Sequence, residues 1–283
     1  NCFPGMANLA AMLSLSQQTI ARRASADVAL SDNVSAQGLP DKSTLHSVKD
    51  GGILEIAGMR ARSWSALHLA AMQEDARQAS ALLVEDEQSL AAVDSFVGSS
   101  GEMTFSGLTP LHLAAFAGHV SVTAALLQSD MFAPFVSACA EEVDSGPWSA
   151  LHVAAAKGHA SVAKCLLHSK TFSQDLINAV AGSGSTALHM ACFHGHAEVA
   201  QLLLDQDRFT AVNAAIAGDS DFDGHTALTL AIRQGHERTV CLLLRHRRFH
   251  AVDRQLPQGS EAAKQGSDAL QQMAGRGMEE AVQ

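Results

Sequence analysis

The feature that most constrains this chain is a stretch of nineteen residues that occurs in four similar copies. The copies are TPLHLAAFAGHVSVTAALL from Thr109, SALHVAAAKGHASVAKCLL from Ser149, TALHMACFHGHAEVAQLLL from Thr186 and TALTLAIRQGHERTVCLLL from Thr226. One leucine near the start of each unit serves as a reference, and a weaker unit has its own at Leu67. The reference leucines Leu67, Leu111, Leu151, Leu188 and Leu228 are 44, 40, 37 and 40 residues apart. Repetition at this period indicates a stacked array, in which each unit buries its apolar face only against its neighbours.

Each copy predicts two helices joined by a turn. Thr109 and its equivalents lie where a side-chain oxygen can accept from the unpaired amides of a helix start. The Ala-rich segment 111–117 follows, and Gly118 comes where a left-handed residue ends the helix. A second apolar segment then recurs at helical spacing, as in Val122 and Leu126. Alanines at equivalent positions allow neighbouring helix pairs to approach closely, so every unit needs the same small residues in the same places.

The pattern TPLHLAA..GH..V...LL resembles the ankyrin repeat. The resemblance implies an all-α solenoid of about five clear repeats, in which stacked helix–turn–helix units are followed by extended finger loops. It covers residues 63 to about 249 and extends weakly in both directions. We therefore expect an N-terminal extension at 1–40, a degenerate first repeat at 41–62, the solenoid at 63–265 and a partial C-terminal repeat at 266–283.

The departures from a standard ankyrin unit lie mainly after the second helix. Such units usually have about 33 residues, and these are longer. A phenylalanine recurs 21 residues past the reference leucine, at Phe132, Phe172, Phe209 and Phe249. We expect it to be a buried plug that closes either an extended second helix or an added turn. The fingers differ freely in sequence, which indicates that they face something other than another repeat. The first clear unit has Glu74-Asp75 where the others have Gly-His, so we expect it to be irregular.

The histidines form two rows, one after the reference leucine and one after the turn glycine. A metal site is one interpretation, but equivalent imidazoles are spaced by whole repeats and do not cluster around a point. In the family that the chain resembles, the first row bonds near the helix start and the second bonds carbonyls of the adjoining repeat. We therefore expect structural histidines, with no metal and no cofactor. The sequence has no GxSxG, HExxH or phosphate-binding glycine loop, so we do not expect an enzyme. An enzyme or a metal-binding protein is the remote alternative.

Charge and cysteine content narrow the class of partner. From Ser63 to Leu244 there are 7 Lys and Arg against 19 Asp and Glu. Such a surface would repel a phosphate backbone, so we expect no nucleic-acid partner.

The five cysteines fit neither a metal motif nor a disulfide framework, which favours free thiols in a reducing intracellular compartment.

The resemblance also implies a binding surface, because ankyrin repeats use the concave face made of finger tips and first helices. Mapped onto this sequence, the finger-base residues are Trp64, Leu108, Trp148 and His225, and the helix-face residues are Met72, Phe116, Lys157, Phe193, His194 and Arg233. Large aromatic residues at exposed positions are common anchors of an interface. The alternative is that the longer fingers fold back and bury them. We expect a non-catalytic adaptor or scaffold that binds a protein partner through this face, with the acidic fingers steering a basic partner.

A second hypothesis is a structural subunit of a large multiprotein complex, docked by its N-terminal segment. The segment from Met6 to Ala26 is rich in Ala and Ser, carries Arg22 and Arg23 and has no acidic residue, as organellar transit segments do. No apolar stretch reaches the roughly 18 residues of a membrane span, which leaves peripheral association with a membrane complex open. The compartment is therefore expected to be cytoplasmic or organellar.

Overall fold

Five pairs of antiparallel helices form the stacked core of the computed structural model. The residues that it describes are 54–56, 59–62, 65–85, 97–100, 103–137, 140–142, 146–217 and 222–249. The paired helices are α1 (Ala66–Met72) and α2 (Ala76–Glu85), α3 (Pro110–Ala117) and α4 (Val120–Gln128), α5 (Ala150–Lys157) and α6 (Ala160–His168), α8 (Ala187–Phe193) and α9 (Ala197–Asp205), and α10 (Ala227–Gln234) and α11 (Glu237–Arg245). We number these pairs as repeats 1 to 5. First helices pack on first helices of the adjacent repeats, and second helices on second helices. The expected helical solenoid is confirmed.

The finger loops add short strands to this helical stack. The strands are β1 (Leu54–Ile56), β2 (Met59–Arg62), β3 (Val97–Ser100), β4 (Met103–Ser106), β5 (Ala140–Glu142) and β6 (Gly146–Trp148). They form one antiparallel sheet in chain order. Successive fingers pair with each other, as in Arg60 opposite Ser99 and Phe105 opposite Glu142. The fingers that precede repeats 1, 2 and 3 are therefore joined edge to edge, and backbone hydrogen bonds link neighbouring repeats on this side.

The repeated residues form the local structure expected of them. Each first helix begins after a Ser or Thr N-cap that forms a capping box with the residue three positions later. Gly118, Gly158 and Gly235 end their helices at φ 83°, 76° and 75°, in the left-handed region that favours glycine. Repeat 1 is irregular at this turn, as expected, because Glu74 adopts φ 61° where the other repeats have glycine.

The recurring phenylalanines occupy the core. Phe132, Phe172 and Phe209 are fully buried and Phe249 is 8% exposed. The second helices of these repeats end four residues earlier, at Gln128 in repeat 2 for example, so each phenylalanine lies in an added turn. Of the two expected explanations, the added turn is therefore confirmed. In repeat 2 this turn continues into a 3-10 helix, Ala133–Phe135, and in repeat 3 into α7 (Gln174–Ile177).

Several expectations concern parts of the chain that the structure does not describe. The N-terminal extension at 1–40 and the partial repeat at 266–283 lie outside the described residues, as does Trp64. Of the degenerate repeat at 41–62, only the backbone of β1 and β2 is described. The four-part division of the chain remains a prediction.

Candidate functional site

The histidines that follow the reference leucines link each first helix to the next finger. The amide of Thr109 donates to Nδ1 of His112 over 3.2 Å, which makes Nε2 the protonated nitrogen. Nε2 then donates to the carbonyl of Trp148, 2.9 Å away at the base of the next finger. The rings of His68, His152 and His189 make the same two contacts, with carbonyls of Leu108, Ser185 and Ala214. The expected bond at the helix start is confirmed, and the bond to the next finger is an addition.

The second row of histidines bonds in the opposite direction. Nε2 of His119, His159, His196 and His236 donates to the carbonyl at the end of the preceding first helix, over 2.9 to 3.2 Å. These acceptors are the carbonyls of Met72, Phe116, Ala156 and Phe193. Both rows of imidazole are therefore part of the bonding between repeats. Within the described part of the chain, no three His, Cys, Asp or Glu side chains are grouped so that they could hold a metal ion.

The expected exposure is wrong for the three finger-base residues that the structure describes. Leu108 is fully buried, Trp148 is 3% exposed and His225 is 6% exposed. The carbonyls of Leu108 and Trp148 accept from histidines of the preceding repeat, so the backbone at these positions lies against the preceding helix. The ring of His225 is in edge-on contact with Phe222. These residues position the fingers and do not present a surface.

The expected exposure of two helix-face aromatics is also wrong. The ring of Phe193 is buried because Phe222, from the long finger before repeat 5, packs edge-on against it at 5.6 Å between centroids. The ring of Phe116 is buried under Lys157 of the next repeat, whose ammonium lies 4.3 Å from the ring centroid. The alternative that a finger folds back therefore holds for Phe193, and a neighbouring side chain covers Phe116.

What stays accessible at these positions is mainly polar. We call the surface formed by the last turns of the first helices the inner face, and its residues are Met72, Gln73, Phe116, Ala117, Ala156, Lys157, Phe193, His194, Arg233 and Gln234. Met72, Lys157 and His194 are half-buried, and Arg233 is exposed. The guanidinium of Arg233 lies 5.4 Å from the ring centroid of Phe222. On the inner face, the cations Lys157 and Arg233 thus lie over buried aromatic rings, that of Phe116 in repeat 2 and that of Phe222 in the finger before repeat 5.

Electrostatics on this face is set by burial and by cations. Burial, together with the smaller effects of His196 and Lys157, lowers the pKa of His194 to about 4, so its ring is neutral at pH 7. Partial burial also lowers the pKa of Lys157 below its usual range. Neither Lys157 nor Arg233 forms an ion pair with a carboxylate among the residues that the structure describes. The Nε2 atom of His194 is buried and has no hydrogen-bond partner there.

Two arginines that the sequence reading missed tie the second helices together. The guanidinium of Arg208 donates to the carbonyls of Leu167, Ser169 and Phe172 in the preceding repeat. Arg248 bonds the carbonyls of Leu204, Gln206 and Phe209 in the same way. Both arginines directly precede the buried phenylalanine, and the recurring pair Arg-Phe was the available signal.

No helix within the described ranges is long and apolar enough to cross a membrane.

Comparison with known proteins agrees with this geometry. The model of ankyrin repeats (3 copies) matches residues 67–178, 134–211 and 151–255, which together make up more than half of the chain. A solved structure of similar fold is the ankyrin repeat domain of Bcl-3, described as a unique member of the IkappaB protein family. It is 25% identical with a TM-score of 0.55, over 73% of this chain and 82% of that one. The search of curated proteins finds no match. Ankyrin repeats generally mediate protein–protein interaction. The chain belongs to the ankyrin-repeat family.

Proposed function

We propose that this protein is a non-catalytic adaptor or scaffold that binds a protein partner through its inner face. The observation that carries the proposal is the contrast between stacking positions and inner-face positions. Residues at the stacking positions repeat nearly unchanged, as do Ala114, Ala154 and Ala191, which are all fully buried. Residues at the inner-face positions differ from repeat to repeat, as do Lys157 and its equivalent His194. Stacking therefore places little constraint on the inner face, which leaves it free to match a partner.

Accessibility divides the candidate contact residues into two groups. Met72, Lys157, His194 and Arg233 are exposed or half-buried and would touch the partner directly. The buried residues Leu108, Phe116, Trp148, Phe193 and His225 would act by holding fingers and cations in place. Trp64 remains a predicted contact. This grouping supports an interface with charged and polar contacts over an aromatic base.

A pair of charge-reversed variants tests the proposal. In the first, Lys157→Glu and Arg233→Glu change the inner face. In the matched control, Lys164→Glu and Arg238→Glu change two exposed cations on the second helices α6 and α11. Affinity purification with quantitative mass spectrometry should show partners that wild type and control retain and that the inner-face variant loses. Equal recovery with the inner-face variant would contradict the assignment of this surface.

The second candidate function is a structural subunit docked through residues 1–40, and the Ala- and Ser-rich composition of that segment favours it. Deletion of residues 1–40 distinguishes the two functions. If the shortened chain no longer migrates with a large complex but keeps its inner-face partners, docking lies in the N-terminal segment. If it keeps both, the segment is dispensable and the second function fails.

A further inference from the structure

Given the proposed function, we propose that the inner face of repeats 3 to 5 recognises an acidic segment of the partner. In this segment, two carboxylates about five or six residues apart would bind Lys157 and Arg233. The proposal differs from the sequence-based expectation, in which acidic fingers steer a basic partner. The local charge at the described inner face is opposite to the net charge of the whole chain.

The first support is the state of the two cations. Lys157 is half-buried over the Phe116 ring, so it has lost part of its hydration, and burial accordingly lowers its pKa. A half-buried ammonium without a carboxylate gains more from an incoming anion than a fully hydrated one does. The guanidinium of Arg233 is exposed, and it can bind a carboxylate with two parallel hydrogen bonds.

The second support is the charge of the surroundings. The groups that shift the pKa of His159, His194 and His196 by charge are all cations or imidazoles. Among the described groups that act electrostatically on the inner face and finger bases of repeats 3 to 5, one carboxylate appears, that of Asp223, which acts on His225. The finger at 178–185 carries no charge, so it would not repel an acidic segment.

The third support is an unsatisfied buried atom between the two cations. His194 occupies the position of Lys157 one repeat further on, and its buried Nε2 has no partner among the described residues. An unpaired buried polar atom costs free energy unless a ligand supplies its partner. His194 as a residue is only half-buried, so a turn of its ring about the side-chain bonds brings Nε2 to the surface. The main chain of a bound peptide offers both a donor and an acceptor there, and it satisfies the neutral imidazole in either tautomer.

The spacing of the carboxylates follows from the packing of the first helices. Lys157 is on α5 and Arg233 is on α10, and α8 packs between these two helices. At about 8–10 Å for each helix-to-helix step, the two positions are roughly 16–20 Å apart. An extended chain advances about 3.3 Å per residue, so it covers this distance in about five or six residues.

Selection from a random peptide library tests the inference. A displayed library would be selected on the full-length chain, on the variant with Lys157→Glu and Arg233→Glu, and on the control with Lys164→Glu and Arg238→Glu. We expect wild type and control to enrich peptides with Asp or Glu at the stated spacing, and the inner-face variant to lose them. Pools without acidic enrichment, or the same acidic pool from all three proteins, would overturn the proposal.

The same selection separates this inference from the proposed function. Peptides that need the inner face but are not acidic would overturn the acidic segment and leave the binding function intact. Peptides that bind wild type and the inner-face variant equally well would count against both the acidic segment and the proposed binding function. Circular dichroism of each variant confirms that it is folded, and the neutral pair Lys157→Gln and Arg233→Gln keeps most of the packing over Phe116 without the charge.

The affinity of one enriched peptide for wild type and for each single variant then measures the contributions of Lys157 and Arg233 separately. Lys157→Gln and Arg233→Gln should each weaken binding by about two- to fivefold, as expected for a partly exposed ion pair, and more at low salt. Replacement of each selected Glu by phosphoserine distinguishes the two sources of negative charge. Tighter binding of the carboxylate form or equal binding supports the acidic segment. Markedly tighter binding of the phosphoserine form would overturn it.

Discussion

Acid should destabilise the solenoid because it stacks through buried neutral histidines. His112, His152 and His189 are at most 2% exposed. Burial lowers the pKa of each ring to about 4. In the unfolded chain the pKa is about 6.5. The unfolded state therefore binds protons at a pH where the folded state does not, so this contribution is complete above pH 6.5 and decreases as the pH falls from 6.5 to 4.

The size of the effect follows from these two pKa values. Between pH 7.5 and pH 5, each ring lowers the free energy of unfolding by about 2 kcal/mol, and the three together by about 6 kcal/mol. This is a large part of the roughly 5–15 kcal/mol that stabilises a typical domain. Urea unfolding followed by circular dichroism at several pH values measures it directly.

Repeat 5 supplies the matched variant, because it has Thr229 where the other repeats have histidine. The Thr229 hydroxyl completes the cap at Thr226 without an ionisable ring. His152→Thr should lower stability at pH 7.5 by about 1–3 kcal/mol, since the carbonyl of Ser185 loses its donor. The loss of stability between pH 7.5 and pH 5 should then be about 2 kcal/mol smaller than in wild type, which is the contribution of one buried ring. An equal acid loss in wild type and variant would refute the reasoning.

Three further pairs of variants can be compared by their free energy of unfolding in the same urea experiment. Gly158→Ala and Gly235→Ala both place alanine at a positive φ, which costs about 1–2 kcal/mol. Of the two, only Gly158→Ala also brings the new Cβ to 2.4 Å from a histidine ring of the next repeat. Gly158→Ala should therefore cost at least about 1 kcal/mol more, and equal costs would contradict the packing. Arg208→Ala should cost about 2–3 kcal/mol, and Arg208→Lys should not restore it, because one ammonium cannot span three carbonyls. Phe172→Ala should lower the free energy of unfolding by about 3–5 kcal/mol, because Phe172 is fully buried. The control Met131→Ala should lower it by less than about 0.5 kcal/mol, because Met131 is 43% exposed. Similar losses for the two variants would argue against a buried plug.

The repeated residues made the fold predictable. Three residues of repeat 2 show why. Thr109 caps the start of the first helix, Gly118 forms the left-handed turn at its end, and Phe132 fills the apolar space after the second helix. A solenoid unit contacts only its neighbours, so the requirement recurs at the same position in every unit. The sequence records that recurrence, and the helices, turns and plugs follow from it.

The candidate site was predicted in part. The sequence pointed to the inner-face positions, and the structure shows Lys157 and Arg233 accessible there. The sequence did not predict that Phe116 and Phe193 are covered by other side chains. Their covers are a lysine 41 residues away in the sequence and a phenylalanine in a finger of unusual length. Neither cover recurs from repeat to repeat, so no periodic pattern could predict it.

What the sequence alone determined is therefore the stacked helical architecture, because local bonding and nearest-neighbour packing repeat with the period of the chain. What only the tertiary structure decided is which side chains remain accessible on the inner face and how the fingers join. Accessibility depends on contacts between residues about 30 to 45 positions apart, such as Phe193 with Phe222. The finger sheet depends on pairing between loops whose sequences differ. Such contacts are fixed only when neighbouring repeats are brought together, since the side chains that make them lie in different units.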